Sequence, residues 1–174
     1  MTTLVEKPIE NMEVFFARSD GTIRTPGGVE TGFRAKNGYL TIDCGFCYRY
    51  VHRLIARTLC NNPCPYVFNT VDHISRVKTD NSSTNLRWCS QAMNTLNREA
   101  KNCYWDRRRK RWQAKFRSGN TWKRVGYYDT YEEGHVAAKR AKVRMWTFLL
   151  KLARIQNERL ARKDFRPDQV HLTR

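Results

Sequence analysis

What is scarce in this chain of 174 residues narrows its function before any motif does. No long apolar run is present, so no bilayer-spanning helix and no membrane partner are expected. The opening MTTLVEKPIENMEVFF is mixed and acidic and lacks the basic-then-apolar order of a secretory leader, so a soluble, intracellular, non-secreted chain is expected. Acidic residues are few: 16 Asp and Glu stand against 33 Lys and Arg, which gives a formal charge of +17 and a pI near 10.1. Such an imbalance favours a polyanionic partner, held with steep salt dependence. Residues 1–146 carry no heptad seam, so a monomer is expected, with a dimer through a helix at 147–163 as the alternative. In an intracellular chain the six cysteines are expected as thiols or metal ligands rather than disulfides.

What is present begins with large side chains. Five Trp, eight Tyr and eight Phe can fill compact cores, although neither half of the chain could build a big one. Residues 71–95, VDHISRVKTDNSSTNLRWCSQAMNT, organise the rest. Asp72 and His73 follow a short apolar run (Tyr66, Val67, Phe68, Val71), a polar turn follows them, and Asn85 and Asn94 come later. The pattern predicts strand, long polar loop, strand and helix. An imidazole beside a carboxylate, with further oxygen ligands, is what metal-assisted phosphodiester hydrolysis needs. Neighbours on a regular strand face opposite sides, so Asp72 and His73 converge only where the strand ends or bends.

The spacing Asp-His-x11-Asn-x8-Asn, with Leu86-Arg87-Trp88 after the first Asn, resembles the HNH (His-Me finger) homing endonucleases of phage type. Val51-His52-Arg53-Leu54-Ile55-Ala56 resembles the helix before the finger in that family. The resemblance implies that Asp72 and Asn94 hold one divalent cation, Mg²⁺ or alternatively Mn²⁺, both ligands being hard oxygens. It implies His73 as general base, with Asn85 accepting a hydrogen bond from the other imidazole nitrogen. It further implies double-stranded DNA as partner, with Arg53 and Arg87 among the contacts and His52 either packing or touching a phosphate. One cation and one base hydrolyse one strand per encounter, so a nick is expected.

Upstream, short strands surround turns, Asp20-Gly21 marking a hairpin. Strands are expected near 38–42 and 47–51, and a helix from His52 to about Leu59. This N-terminal β region resembles the small module that precedes the finger in phage HNH enzymes, and contact with DNA or support of the finger are its two readings. Cys44-x2-Cys47 and Cys60-x3-Cys64 fall within the spacing of a structural Zn²⁺ knuckle. A hairpin turn and a helix end need not meet, however, and reduced, partly buried thiols are the preferred reading.

Downstream, residues 103–117 mix aromatic and basic side chains, with five consecutive bases at 107–111. Alternation places Trp112, Ala114 and Phe116 on one face and Gln113, Lys115 and Arg117 on the other. After a second strand, Thr130 with Glu133 predicts a capping box opening a helix with a small-residue face (Ala137, Ala138, Ala141) that runs on to Met145. Strands followed by one Ala-rich helix over about 102–146, with Tyr104-Trp105-Asp106 and Gly126-Tyr127-Tyr128-Asp129-Thr130, resemble the AP2 DNA-binding domain. The resemblance implies DNA contacts from Arg107, Arg109, Arg111, Lys115, Arg117, Trp122 and Arg124.

The expected fold is therefore α+β. A ββα-metal nuclease core at 51–100 follows a small β region at 1–50 and precedes an AP2-like three-stranded sheet packed on one helix at 101–146, with a basic C-terminal helix or tail at 147–174 ended by Pro167. A site-specific, metal-dependent DNA endonuclease is the expected function. A non-catalytic AP2-type binder or decayed nuclease is the alternative, and composition alone equally allows an RNA-binding protein.

Overall fold

The computed structural model describes residues 3–45 and 47–164. The chain divides into two compact units, Met1–Asn62 with Thr70–Cys89, and Pro63–Asn69 with Ser90–Arg174. In the first unit the N-terminal strands and the hairpin at 70–89 share one core.

In the first unit, β1 (Glu6–Ile9), β2 (Met12–Arg18), β3 (Ile23–Thr25) and β4 (Gly28–Glu30) form an antiparallel sheet in that order. The predicted Asp20-Gly21 turn joins β2 to β3, with Gly21 at φ 91°, a left-handed value that suits a residue without Cβ. A three-stranded sheet follows: β5 (Phe33–Arg34), β6 (Leu40–Asp43) and β7 (Tyr48–Tyr50). Helix α1 (Val51–Leu59) starts one residue before the expected position and buries Val51, His52, Leu54, Ile55 and Ala56. Of these, Val51, Leu54, Ile55 and Ala56 join Ile9, Ala17, Ile23, Ile42, Val71 and Leu86 in one core. β8 (Thr70–His73) pairs antiparallel with β9 (Leu86–Cys89). The Trp88 indole N–H on β9 donates to the carbonyls of Ala56 and Cys60 at 3.2 Å, fastening the hairpin to the end of α1.

The apolar run at Tyr66, Val67 and Phe68 does not form the expected strand. Residues 65–67 turn, and the Tyr66 N–H donates to Asn157 Oδ1 in the second unit, to which both residues belong. Cys64 and Phe68 are buried.

The second unit holds α2 (Gln91–Asn97), N-capped by Ser90, whose Oγ accepts from the Met93 N–H. β10 (Cys103–Asp106), β11 (Arg111–Ser118) and β12 (Thr121–Tyr128) form an antiparallel sheet that packs on α3 (Tyr131–Asp164). The capping box forms as expected: the Thr130 N–H donates to Glu133 Oε2 and the Glu133 N–H to Thr130 Oγ1. Ala138 is fully buried, and a Cβ on Gly134 would stand 2.5 Å from Cys103 Sγ, so the helix lies tight on the sheet through a glycine. α3 runs 34 residues without a break at 146, so the sheet-capping helix and the first part of the expected tail are one element. The expected stop at Pro167 lies outside the described residues. Among the described residues no helix is long and apolar enough to cross a membrane.

Candidate active site and nucleic-acid face

β8 ends at His73, where the chain turns: the Arg76 N–H donates back to the His73 carbonyl, with Arg76 at φ 69°. Asp72 and His73 are both buried, 4% and 5% exposed, and they face different partners. Asp72 stands opposite Arg87 across the hairpin, and Arg87 Nε and Nη2 both donate to Asp72 Oδ2, at 2.9 and 2.7 Å. A buried carboxylate is tolerable only when its charge is answered, and Arg87 answers it. Arg87, expected on DNA, has its guanidinium on Asp72, with about a third of the side chain exposed.

His73 Nε2 lies 3.0 Å from Asn81 Oδ1. Its ring packs 5.2 Å from the His52 ring and 5.8 Å from Tyr39, and Tyr50 completes the cluster 5.4 Å from His52. The Lys78 ammonium covers Tyr39 at 4.7 Å while donating to the Asn37 carbonyl, and the Asn37 amide donates to the Tyr50 hydroxyl.

Of the two roles expected of His52, packing or a phosphate contact, the structure shows packing. His52 is 6% exposed, its Nδ1 is buried without a hydrogen-bond partner, and burial first, then His73 and Arg53, push the imidazole down to about 3. It is a neutral packing ring beside His73. Arg53 is exposed and keeps the surface position expected of it.

Asn85 does not reach the imidazole. Its Oδ1 accepts from the Ser75 N–H and its Nδ2 donates to the Asp80 carbonyl, both at 2.8 Å, while its backbone carbonyl accepts from the Ile74 N–H. Asn85 thus ties together the two ends of the polar loop. The residue on the ring nitrogen is Asn81, which sequence reasoning absorbed into the run of turn-formers. Asn94 stands half-buried on the first turn of α2, in the second unit.

The four cysteines weighed for zinc do not gather. Among the described residues no three His, Cys, Asp or Glu side chains form a metal-binding group. Cys44 and Cys47 flank the β6–β7 turn, and the Cys60 thiol donates to the Ser83 carbonyl. Burial, the largest cause at both, pushes the Cys44 and Cys60 thiols up.

In the second unit the sheet face turned away from α3 carries the expected basic residues among aromatics. Ala114 and Phe116 are buried, and Gln113, Lys115 and Arg117 take the other face. A bulge at Val125 sets Arg124 opposite Lys115, where strict alternation from Tyr127 would turn it under the sheet. The Lys115 ammonium lies 5.0 Å from the Tyr104 ring and 5.3 Å from Trp122, and Trp122 is 56% exposed. The Arg109 and Arg124 guanidinium groups approach Tyr127, whose hydroxyl accepts from Gln113. Four of the five consecutive bases, residues 107–110, form the β10–β11 turn. Within that basic run Arg109 pairs with Asp106 and Arg111 with Asp129, which takes part of their charge from any partner.

No family model matches the chain, and no curated protein matches it. A solved structure described as DNA binding and cleavage by the HNH homing endonuclease I-HmuI is similar at 29% identity, over 53% of this chain and 56% of that one, with a TM-score of 0.45. The chain thus spans little more than half of that protein, and a likeness so partial does not assign it to a family.

Proposed function

We propose that the chain is a metal-dependent DNA endonuclease of the HNH homing type that nicks one strand at its site. The observation that carries this reading is the buried Asp72-His73 pair at the end of β8, above a polar loop closed by Asn85. A loop needed only as a turn has no use for a buried carboxylate and a buried imidazole at its root.

The donor type suits Mg²⁺ or Mn²⁺: the Asp72 carboxylate offers hard oxygens and would hold the ion, and the resemblance to the HNH enzymes names the Asn94 amide as the second ligand. When bound, the cation supplies positive charge against the phosphate and leaving oxygens. His73 takes the proton from the attacking water as its oxygen bonds to phosphorus and the P–O bond to the sugar breaks, a contribution of about 10²–10⁴ in rate. Arg87 keeps the Asp72 carboxylate oriented on the β8–β9 hairpin, and Asn85 holds the shape of the loop. The basic, aromatic sheet face binds DNA, with Lys115, Arg117, Trp122 and Arg124 at its centre, and the excess of cationic side chains supplies long-range attraction. The chain acts as a monomer. Binding without cleavage is the second reading, favoured by that sheet face alone.

The test is supercoiled plasmid incubated with Mg²⁺ or with EDTA. Open circles with Mg²⁺, none with EDTA, and a loss of at least about a hundredfold in His73→Ala at unchanged DNA affinity are expected. Near-normal cleavage by His73→Ala at saturating metal removes His73 from the reaction. Direct conversion to linear plasmid removes the monomeric nickase.

A further inference from the structure

We infer that Asn81 is the positioning residue of His73, and that the Ser19–Gly21 turn of the N-terminal β region holds Asn81 in place. The inference rests on the reading of His73 as the base, and it gives the N-terminal sheet a part in the chemistry beyond a contact with DNA.

The first half stands on the hydrogen bond between His73 Nε2 and Asn81 Oδ1, 3.0 Å long, between side chains 5% and 2% exposed. An amide oxygen only accepts, so the ring nitrogen that meets it carries the hydrogen and the lone pair stands on Nδ1. A base needs one lone pair aimed consistently at its water, and a fixed partner on the opposite nitrogen provides that aim. When Nδ1 takes the proton from water, Nε2–H goes on donating to Asn81, and no proton passes to the amide. Tyr39 and His52 restrict the tilt of the ring from its sides, so the hydrogen bond and the packing fix its direction together. Asn85, occupied by the Ser75 N–H and the Asp80 carbonyl, shapes the loop that carries Asn81 and leaves the ring to it.

The second half stands on the close approach of two turns. A Cβ built on Gly21 would come 2.6 Å from both the Asn81 carbonyl carbon and the Ser82 nitrogen, so the Gly21 backbone lies flush on the Asn81–Ser82 peptide. Gly21 also has φ 91°, which L side chains rarely adopt. Beside it the Ser83 N–H donates to the Ser19 carbonyl at 2.9 Å, and Ser83 Oγ donates to the same oxygen at 3.3 Å. The loop at 80–83 is therefore seated on the β2–β3 turn, and a shift of that turn is a shift of Asn81.

The experiment uses the full-length chain labelled with ¹⁵N, and reads the ring nitrogens of His73, assigned by their loss in His73→Ala. Nicking at saturating Mg²⁺ and DNA affinity are measured on the same samples, with circular dichroism to confirm folding. The wild type is expected as the Nε2–H tautomer. Asn81→Leu, which keeps the bulk and removes the acceptor, should lose that preference and nick about tenfold to a hundredfold more slowly at unchanged DNA affinity. Asn81→Asp restores an oxygen and should recover the tautomer and most of the rate. Gly21→Ala should shift the His73 signals in the same direction as Asn81→Leu. A wild-type Nδ1–H tautomer, an unshifted tautomer in Asn81→Leu, or an Asn81→Asp as slow as Asn81→Leu overturns the inference. A tautomer that shifts in a chain that never nicks supports the assignment of Asn81 to His73 and overturns the endonuclease reading instead.

Discussion

Replacing His52 with phenylalanine tests the site through its acid stability. The His52 imidazole is 6% exposed, shares its surroundings with Tyr39, Tyr50 and His73, and is pushed from 6.5 to about 3, chiefly by burial. Below about pH 6.5 the unfolded chain takes up a proton at this ring that the folded chain refuses, so stability falls as pH falls, and the loss continues until about pH 3. At about pH 5 the unfolded ring lies about 1.5 units below its midpoint, and at about 1.4 kcal/mol per unit the loss from about pH 7.5 is about 2 kcal/mol. For a chain of this length that is a fall in melting temperature of about 4–8 °C attributable to one side chain. His52→Phe keeps a ring against Tyr39 and His73 and removes the titration. Melting temperatures of the two proteins across that range should therefore fall with different slopes, the wild type losing about 4–8 °C more toward acid than the variant. Curves that fall in parallel would show that His52 is protonated in the folded state or already buried in the unfolded one, and either result refutes the neutral packing role.

Arg87→Ala strands the buried Asp72 carboxylate; it should cost about 3–5 kcal/mol in urea unfolding, far more than a DNA contact at the surface would. Gly134→Ala gains about 1 kcal/mol of helix propensity and loses about 1–3 kcal/mol to the overlap with Cys103 Sγ, so a net drop in melting temperature is expected, relieved in the double variant with Cys103→Ala. Lys115→Ala should flatten the salt dependence of DNA binding by about one unit if the ammonium grips phosphate; an unchanged slope would place Lys115 as a spacer between Tyr104 and Trp122.

Elements marked by local chemistry were legible in the sequence. Asp20-Gly21, the Thr130–Glu133 box and the alternation at 112–117 each carry their own geometry, and each element formed where it was expected. Contacts made across sequence distance were not legible. Arg87 follows Leu86 as a surface base would, and only the register Asp72↔Arg87 turns it inward. Asn81 sits among Asp80, Ser82 and Ser83, where turn preference explains it fully until His73 is seen against its side chain. The bulge at Val125 lies beside Gly126, a glycine inside a strand that strict alternation passes over, and Arg124 reaches the aromatic face only because of it. Tyr66 to Phe68 has the apolar character of a strand, and burial of Phe68 among residues of the second unit satisfies that character without one.

The segment Pro63–Asn69 belongs with residues far ahead of it in the chain, and biosynthesis meets that fact in order. Tyr66 and its partner Asn157 are 91 positions apart. At about 5–20 residues per second on the ribosome, roughly 5–18 seconds pass between the synthesis of one and of the other. The first unit has all of its strands and α1 once Cys89 has cleared the exit tunnel. Cys64 and Phe68, both buried in the finished protein, meanwhile wait as an unoccupied apolar hook between α1 and β8. A nascent chain arrested anywhere before α3 is complete therefore leaves the segment that carries Cys64 and Phe68 without the rest of its own unit.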